Sequence, residues 1–151
     1  MKQLTEKTIG AAIEVHRHLG PGLLESSYRL CLCHELKTQG IRFETEKPLP
    51  IDYKGCRLDC GYRVDLLVED ALVIEIKSLD SLFPVHEAQL LSYMKLGHWQ
   101  IGLLINFNVN LLKDGIRRRV LGFNDTAEDD GAARKALVDI QNPLRSPRSL
   151  R

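Results

Sequence analysis

Two apolar runs separated by a short acidic pair constrain this chain more than any other feature. They are read as strands over Leu58 to Val68 and Leu72 to Lys77, with Glu69-Asp70 between them. Side chains alternate faces along a strand. In the first run Val64, Leu66 and Val68 share one face, and Arg63, Asp65 and Leu67 share the other. In the second, Leu72, Ile74 and Ile76 oppose Val73, Glu75 and Lys77. Pairing must keep apolar residues with apolar ones. A two-residue turn at Glu69-Asp70 sets Val64 opposite Glu75 and mixes the faces. A loop of 69–71 sets Asp65 opposite Glu75 and Val64 opposite Ile76, so this second register is expected. It gathers Asp65, Glu75 and Lys77 on one face, with directly opposed Cβ atoms about 5 Å apart. Carboxylates that close repel unless a positive charge sits between them. Mg²⁺, which prefers carboxylate oxygens and water, suits that position. The plainer reading is that charged residues on a half-exposed strand simply face water.

The rest of the 151 residues builds around this pair. A helix is expected over residues 5–19, with Thr5 as cap and Ile9, Ala12, Ile13, Val15 and Leu19 at helical spacing. Gly20-Pro21-Gly22 stops it. A second helix is expected from Leu23 to Gln39, closed by Gly40. Residues from Ile41 to Glu46 alternate like a strand that Pro48 and Pro50 confine to an edge or a loop. Ile51 to Tyr53 and Gly55 suggest a short strand and a turn. Pro84 opens a helix that runs to about Gly97. Gln100 to Phe107 reads as a buried strand, and Ile116 to Leu121 as a last one. The order gives an α/β core with an antiparallel start and one crossover helix. The apolar first helix either covers the sheet or forms a homodimer face. Past Gly122 come acidic residues (Asp125, Glu128, Asp129, Asp130), a short helix over Ala132 to Ile140, and a Pro/Ser/Arg-rich end. The chain therefore divides into a domain over 1–122 and an extension over 123–151, expected to be partly disordered.

The net charge of +1 excludes nucleic-acid binding by bulk positive charge, and 6% aromatics argue against a base-stacking platform. A local patch remains open: Arg117 and Arg119 share a strand face, with Lys95 and Lys113 elsewhere in the chain, although arginines also blunt edge strands. The N-terminus carries no apolar leader, and the Ile101 to Ile105 run is far too short to span a bilayer, so a cytoplasmic protein with no membrane partner is expected. Cys31, Cys33, Cys56 and Cys60 lack the common zinc spacings and read as reduced thiols. His16 and His18 read as solvated helix residues, Trp99 as a core residue, and Asn106 as a residue that satisfies backbone at a strand end.

Several motifs in order carry a resemblance. They are Gly22-x-x-Glu25-x-x-Tyr28, Tyr62-Arg-Val-Asp65, Glu75-x-Lys77, Val85-His-Glu-Ala-Gln-Leu-Leu-Ser-Tyr93 and Gly102-Leu-Leu-Ile-Asn-Phe107. Over residues 5 to 121 the chain resembles the GxxExxY family of the PD-(D/E)XK nuclease superfamily. The resemblance implies a restriction-endonuclease-like αβββαβ core with an additional N-terminal helix and a mixed sheet. It implies Mg²⁺ held by Asp65, Glu75, the Ile76 carbonyl and Glu25, with Mn²⁺ able to substitute. Lys77 would orient or polarise the attacking water, and Gln89 would lie near the active site. Arg63-Val64 stands where the superfamily's literal Pro precedes the Asp. The implied activity is hydrolysis of phosphodiester bonds in DNA, ahead of RNA. The alternative is a catalytically silent nucleic-acid-binding or protein-interaction module on the same fold. His86, close in sequence to Gln89, reads as a helix-terminus residue.

Overall fold

Helix α1 spans Lys2–Leu19 in a computed structural model that describes residues 1–122. The extension over 123–151, with its expected short helix, lies outside the described residues. The helix starts before Thr5, whose hydroxyl donates to the Met1 carbonyl at 3.0 Å rather than capping; Thr8 does the same to Leu4 at 2.8 Å. Its buried stripe is Thr5, Thr8, Ala11, Ala12, Val15 and His16, while Ile13 and Leu19 are exposed. Ala12 and Val15 are buried as expected and Ile9 packs against the core, whereas Ile13 and Leu19 correct the expected stripe. Small residues let the helix lie close to its neighbours, and the internal hydroxyl bonds remove the cost of burying the two threonines. The stripe covers the sheet, the first of the two roles left open for this helix.

Helix α2 (Glu25–Thr38) begins two residues later than expected, leaving Leu23 and Leu24 exposed in the loop before it. Its C-terminus closes as the sequence predicts. Gly40 takes φ 71°, its N–H donates to the Lys37 carbonyl at 3.0 Å, and the Ile41 N–H donates to the Leu36 carbonyl at 3.0 Å.

The strands are β1 (Phe43–Pro48), β2 (Ile51–Tyr53), β3 (Cys56–Leu58), β4 (Arg63–Val68), β5 (Leu72–Lys77), β6 (Ile101–Asn106) and β7 (Ile116–Val120), with helix α3 (Pro84–Gly97) between β5 and β6. Five of them form a mixed sheet in the order β1-β4-β5-β6-β7. Only β5 and β6 are parallel, joined by the α3 crossover. Pro48 sits on the edge strand, where a missing N–H is tolerated. The expected continuous strand from Leu58 to Val68 is broken. Asp59 accepts the Gly61 N–H at 2.9 Å, Gly61 takes φ 78°, and this Asx turn sends the chain out of the ladder before β4 begins. β2 and β3 stand apart as a hairpin turned by Lys54-Gly55, both with positive φ.

Helices α1 and α2 pack on one face against Leu66, Val68, Leu72, Ile74, Ile76, Leu103 and Ile105. Helix α3 packs on the other, where Leu90, Leu91 and Met94 meet Leu67, Val73 and Leu104. A Cβ at Gly102 would lie 2.6 Å from Met94 Sδ, so glycine is what lets α3 approach β6. In chain order α2, β1, β4, β5, α3 and β6 form the αβββαβ core of a restriction-endonuclease-like fold, with α1, the β2–β3 hairpin and β7 added.

Candidate active site

Asp65 and Glu75 meet where the β4–β5 ladder ends. The register pairs Leu66 with Ile74, Leu67 with Val73 and Val68 with Leu72. Glu69 (φ 50°) and Asp70 (φ 53°) turn the chain, Ala71 donates to the Val68 carbonyl at 3.0 Å, and the odd 69–71 loop follows. Asp65 therefore faces Glu75, as the pattern of apolar residues requires. Here side chains replace the ladder. Glu75 Oε1 accepts the Asp65 N–H at 3.2 Å, and Asp65 Oδ2 accepts the Ile76 N–H at 2.8 Å. One detail departs from the expected faces: Val64 packs with Leu67 and Val73 rather than with Leu66 and Val68. It lies past the last β4–β5 pair, although β4 still pairs there with β1 through Lys47 and Val64.

Glu75 is only 3% exposed, whereas Asp65 and Lys77 are half-buried. Burial pushes the Glu75 carboxyl up to about 8, and the Asp65 charge pushes the same way. The Asp65 N–H and the Lys77 charge pull it back. Lys77 thus compensates the pair only in part. The pair's donor set of carboxylate oxygens fits a hard divalent cation, which needs one or two carboxylates and completes its shell with water. Among the described residues no three His, Cys, Asp or Glu side chains gather into a metal-holding group. Glu25, exposed at the start of α2, instead accepts the Ser78 N–H at 3.3 Å, one residue beyond Lys77. Ser78 Oγ donates to the Leu23 carbonyl at 2.6 Å, fastening the same loop.

Tyr28 explains the spacing that places Glu25. It is fully buried, its hydroxyl donates to the Gly20 carbonyl at 2.6 Å and accepts the Leu23 N–H at 3.1 Å, and its ring stacks on Phe107 at 4.4 Å. The tyrosine holds the glycine loop, and the glutamate one helical turn earlier reaches the end of β5.

Helix α3 forms the opposite wall. A crossover between parallel strands runs antiparallel to them, so the start of α3 lies by the end of β5. Gln89 Nε2 donates to the Tyr93 hydroxyl at 3.2 Å. Burial pushes the Tyr93 hydroxyl upward, followed by the Glu75 charge, which puts that tyrosine beside the carboxylate pair. His86 Nδ1 accepts the Phe83 N–H at 2.8 Å. Burial pushes this imidazole downward, Lys77 adds to the shift, and Glu25 opposes it.

The family model of the PD-(D/E)XK nuclease superfamily matches residues 2–119. The chain belongs to the PD-(D/E)XK nuclease superfamily. Among solved structures, the crystal structure of SSO0001 is similar over 82% of this chain at 22% identity, with a TM-score of 0.47; the chain spans 60% of that one. No curated protein matches. The matching model describes a superfamily of nucleases.

Other residues of this superfamily member sit less centrally. Arg117 and Arg119 do share a face, but both turn to Glu87 on α3: Arg119 Nη2 lies 2.6 Å and Arg117 Nε 3.8 Å from Glu87 Oε1. Lys113 is exposed in the short 3-10 turn Leu112–Gly115 that precedes β7. Lys95, exposed in the last turn of α3, lies at the end away from Lys77 and is not brought to the site. Asn106 satisfies backbone as expected, accepting the Leu79 N–H at 3.0 Å and donating to the Leu79 carbonyl at 2.9 Å; what it secures is the loop after Lys77. His16 corrects its reading as a solvated residue: it is buried, with Nε2 2.8 Å from the Val109 carbonyl, because α1 lies against the loop after β6. No described helix is long and apolar enough to cross a membrane.

Proposed function

We propose that this chain is a Mg²⁺-dependent nuclease of the GxxExxY family that hydrolyses phosphodiester bonds in DNA, in preference to RNA. The observation that carries the reading is the opposed pair Asp65 and Glu75 at the splayed end of β4 and β5, with Lys77 two residues along the same strand. Asp65, Glu75 and the Ile76 carbonyl would hold the cation, and Glu25 would join from the rim. Mg²⁺, or Mn²⁺ in its place, supplies an activated water and neutralises phosphate charge when bound. Lys77 orients that water or stabilises charge on the phosphate oxygens, and Gln89 positions groups beside Tyr93. Lys113, Arg117 and Arg119 would track the nucleic-acid backbone, with Lys95 adding positive charge from the far end of α3. Residues 1–122 form the nuclease domain, 123–151 an appendage, and four unpaired thiols suit a cytoplasmic setting. The exposed Ile13 and Leu19 of α1 leave room for a homodimer contact.

The test is cleavage of plasmid DNA, single-stranded DNA and RNA with Mg²⁺ or Mn²⁺, alongside Asp65→Ala and Lys77→Ala. Metal-dependent cleavage of DNA, lost in both variants, is expected. Cleavage that survives either change overturns the site assignment. No cleavage of any substrate, with no metal binding by calorimetry, turns the reading to a silent binding module.

A further inference from the structure

His86 is locked in a way that fixes which of its ring nitrogens can act. A backbone N–H can only donate, so the 2.8 Å bond from Phe83 N–H shows that His86 Nδ1 carries a lone pair. The ring is then neutral and its single proton sits on Nε2. The residue is clamped twice, because its own N–H donates to the Phe83 carbonyl at 2.9 Å. The Phe83 ring also leans on it, with centroids 5.9 Å apart. The ring is half-buried in the first turn of α3, and the charged groups whose fields reach it are Lys77 and Glu25.

We propose that His86 is a substrate-binding residue whose Nε2–H donates to a non-bridging oxygen of the phosphate being cleaved. The proposal rests on the nuclease reading and deepens it. A phosphodiester beside Lys77 presents two non-bridging oxygens, and charge on them grows in the transition state. Lys77 offers one cation, and a fixed neutral donor beside it adds stabilisation without moving. The residue type supports this over a purely local role. Reaching back from the third helical position to the N-cap N–H is work that Glu or Gln does well. Glu at this position would complete the cap but set a negative charge beside Glu25 and the phosphate; histidine completes it and leaves an N–H free.

The test follows from that difference. His86→Glu and His86→Gln both keep the cap, so both should melt within a few degrees of wild type. His86→Gln keeps an N–H donor and should retain most of the cleavage rate. His86→Glu should cut DNA about 10²-fold more slowly. If His86→Glu cuts as fast as wild type, the proposal is overturned and the nuclease reading stands. If wild type cuts nothing, the nuclease reading fails, and histidine nitrogen NMR decides the proposal. Wild-type protein with Mg²⁺ is titrated with a thymidine oligonucleotide, and the His86 signal is identified by its absence in His86→Gln. A shift of the Nε2 resonance supports phosphate binding, and an unmoved resonance overturns it.

Discussion

Asp65 and Glu75 each accept a backbone N–H from the other's strand, Glu75 from Asp65 at 3.2 Å and Asp65 from Ile76 at 2.8 Å. In a regular ladder those N–H groups go to carbonyls. The exchange ends the ladder, holds two carboxylates together and buries one of them almost completely. A protein stabilised only by its own groups gains little from such a pair, since like charges at close range disfavour ionisation. The arrangement makes physical sense for a site that receives positive charge from outside.

The stability of the metal-free protein should therefore fall as pH rises. Folded, Glu75 keeps its proton up to about pH 8; unfolded, it releases it near 4.5. Between those values the folded state binds more protons, so each rise in pH favours unfolding. The loss is absent below the window and complete above it. Melting temperatures without metal should drop between pH 5 and pH 8, and Mg²⁺ should restore part of the drop. Glu75→Gln, which cannot ionise, should show a flatter profile. An equally steep profile in that variant would locate the effect elsewhere.

Asp65→Asn should move stability and activity in opposite directions. The amide oxygen still accepts the Ile76 N–H, but the charge that raises Glu75 is gone. At pH 8 without metal the variant should melt above wild type, while metal-dependent cleavage is lost. Lys77→Ala should lower both, because Lys77 offsets the carboxylate pair as well as facing the substrate. Calorimetric melts and initial cleavage rates on one protein batch test the opposition; a destabilised Asp65→Asn would contradict it.

Tyr28→Phe removes only the hydroxyl that joins the Gly20 carbonyl to the Leu23 N–H. Losing these two part-buried hydrogen bonds should cost about 0.5–1.5 kcal/mol each. Glu25 and Ser78 are fastened to the same loop, so cleavage should slow while cation binding at Asp65 and Glu75 stays near wild type. Thermal unfolding and Mn²⁺ calorimetry separate the two effects. Weakened cation binding would mean that Glu25 matters more to the cation than its bond to Ser78 implies.

What was legible in the sequence was local or periodic. Apolar alternation on β4 and β5 dictated the odd loop and hence the meeting of Asp65 with Glu75. Pro84 and Gly40 marked helix ends because each acts on its own backbone. The stripe on α1 was legible at Ala12 and Val15 but hidden at Thr5, Thr8 and His16, which no apolar pattern picks out. The break between Leu58 and Arg63 depends on one side chain, Asp59, capturing the Gly61 N–H. The Glu25–Ser78 and His16–Val109 contacts join residues far apart in the chain, so only the folded arrangement reveals them.

Glu87 governs whether Arg117 and Arg119 are free to meet nucleic acid. Both arginines are half-buried and drawn to one carboxylate oxygen, at 3.8 Å and 2.6 Å. Half-exposed pairs of this kind contribute no more than about 1 kcal/mol, so Glu87→Gln should leave the fold intact. The net charge rises from +1 to +2, and the added positive charge lies on the α3 side of the sheet. In an Asp65→Asn background, where nothing is cut, Glu87→Gln should bind a fluorescent oligonucleotide more tightly at low salt. The plot of log affinity against log salt should steepen by about 0.7–0.9 if one further phosphate is engaged. Arg119→Ala should shift both quantities the other way. Were affinity and slope unchanged in Glu87→Gln, the two arginines would serve to pin β7 to α3 rather than to hold a phosphate backbone.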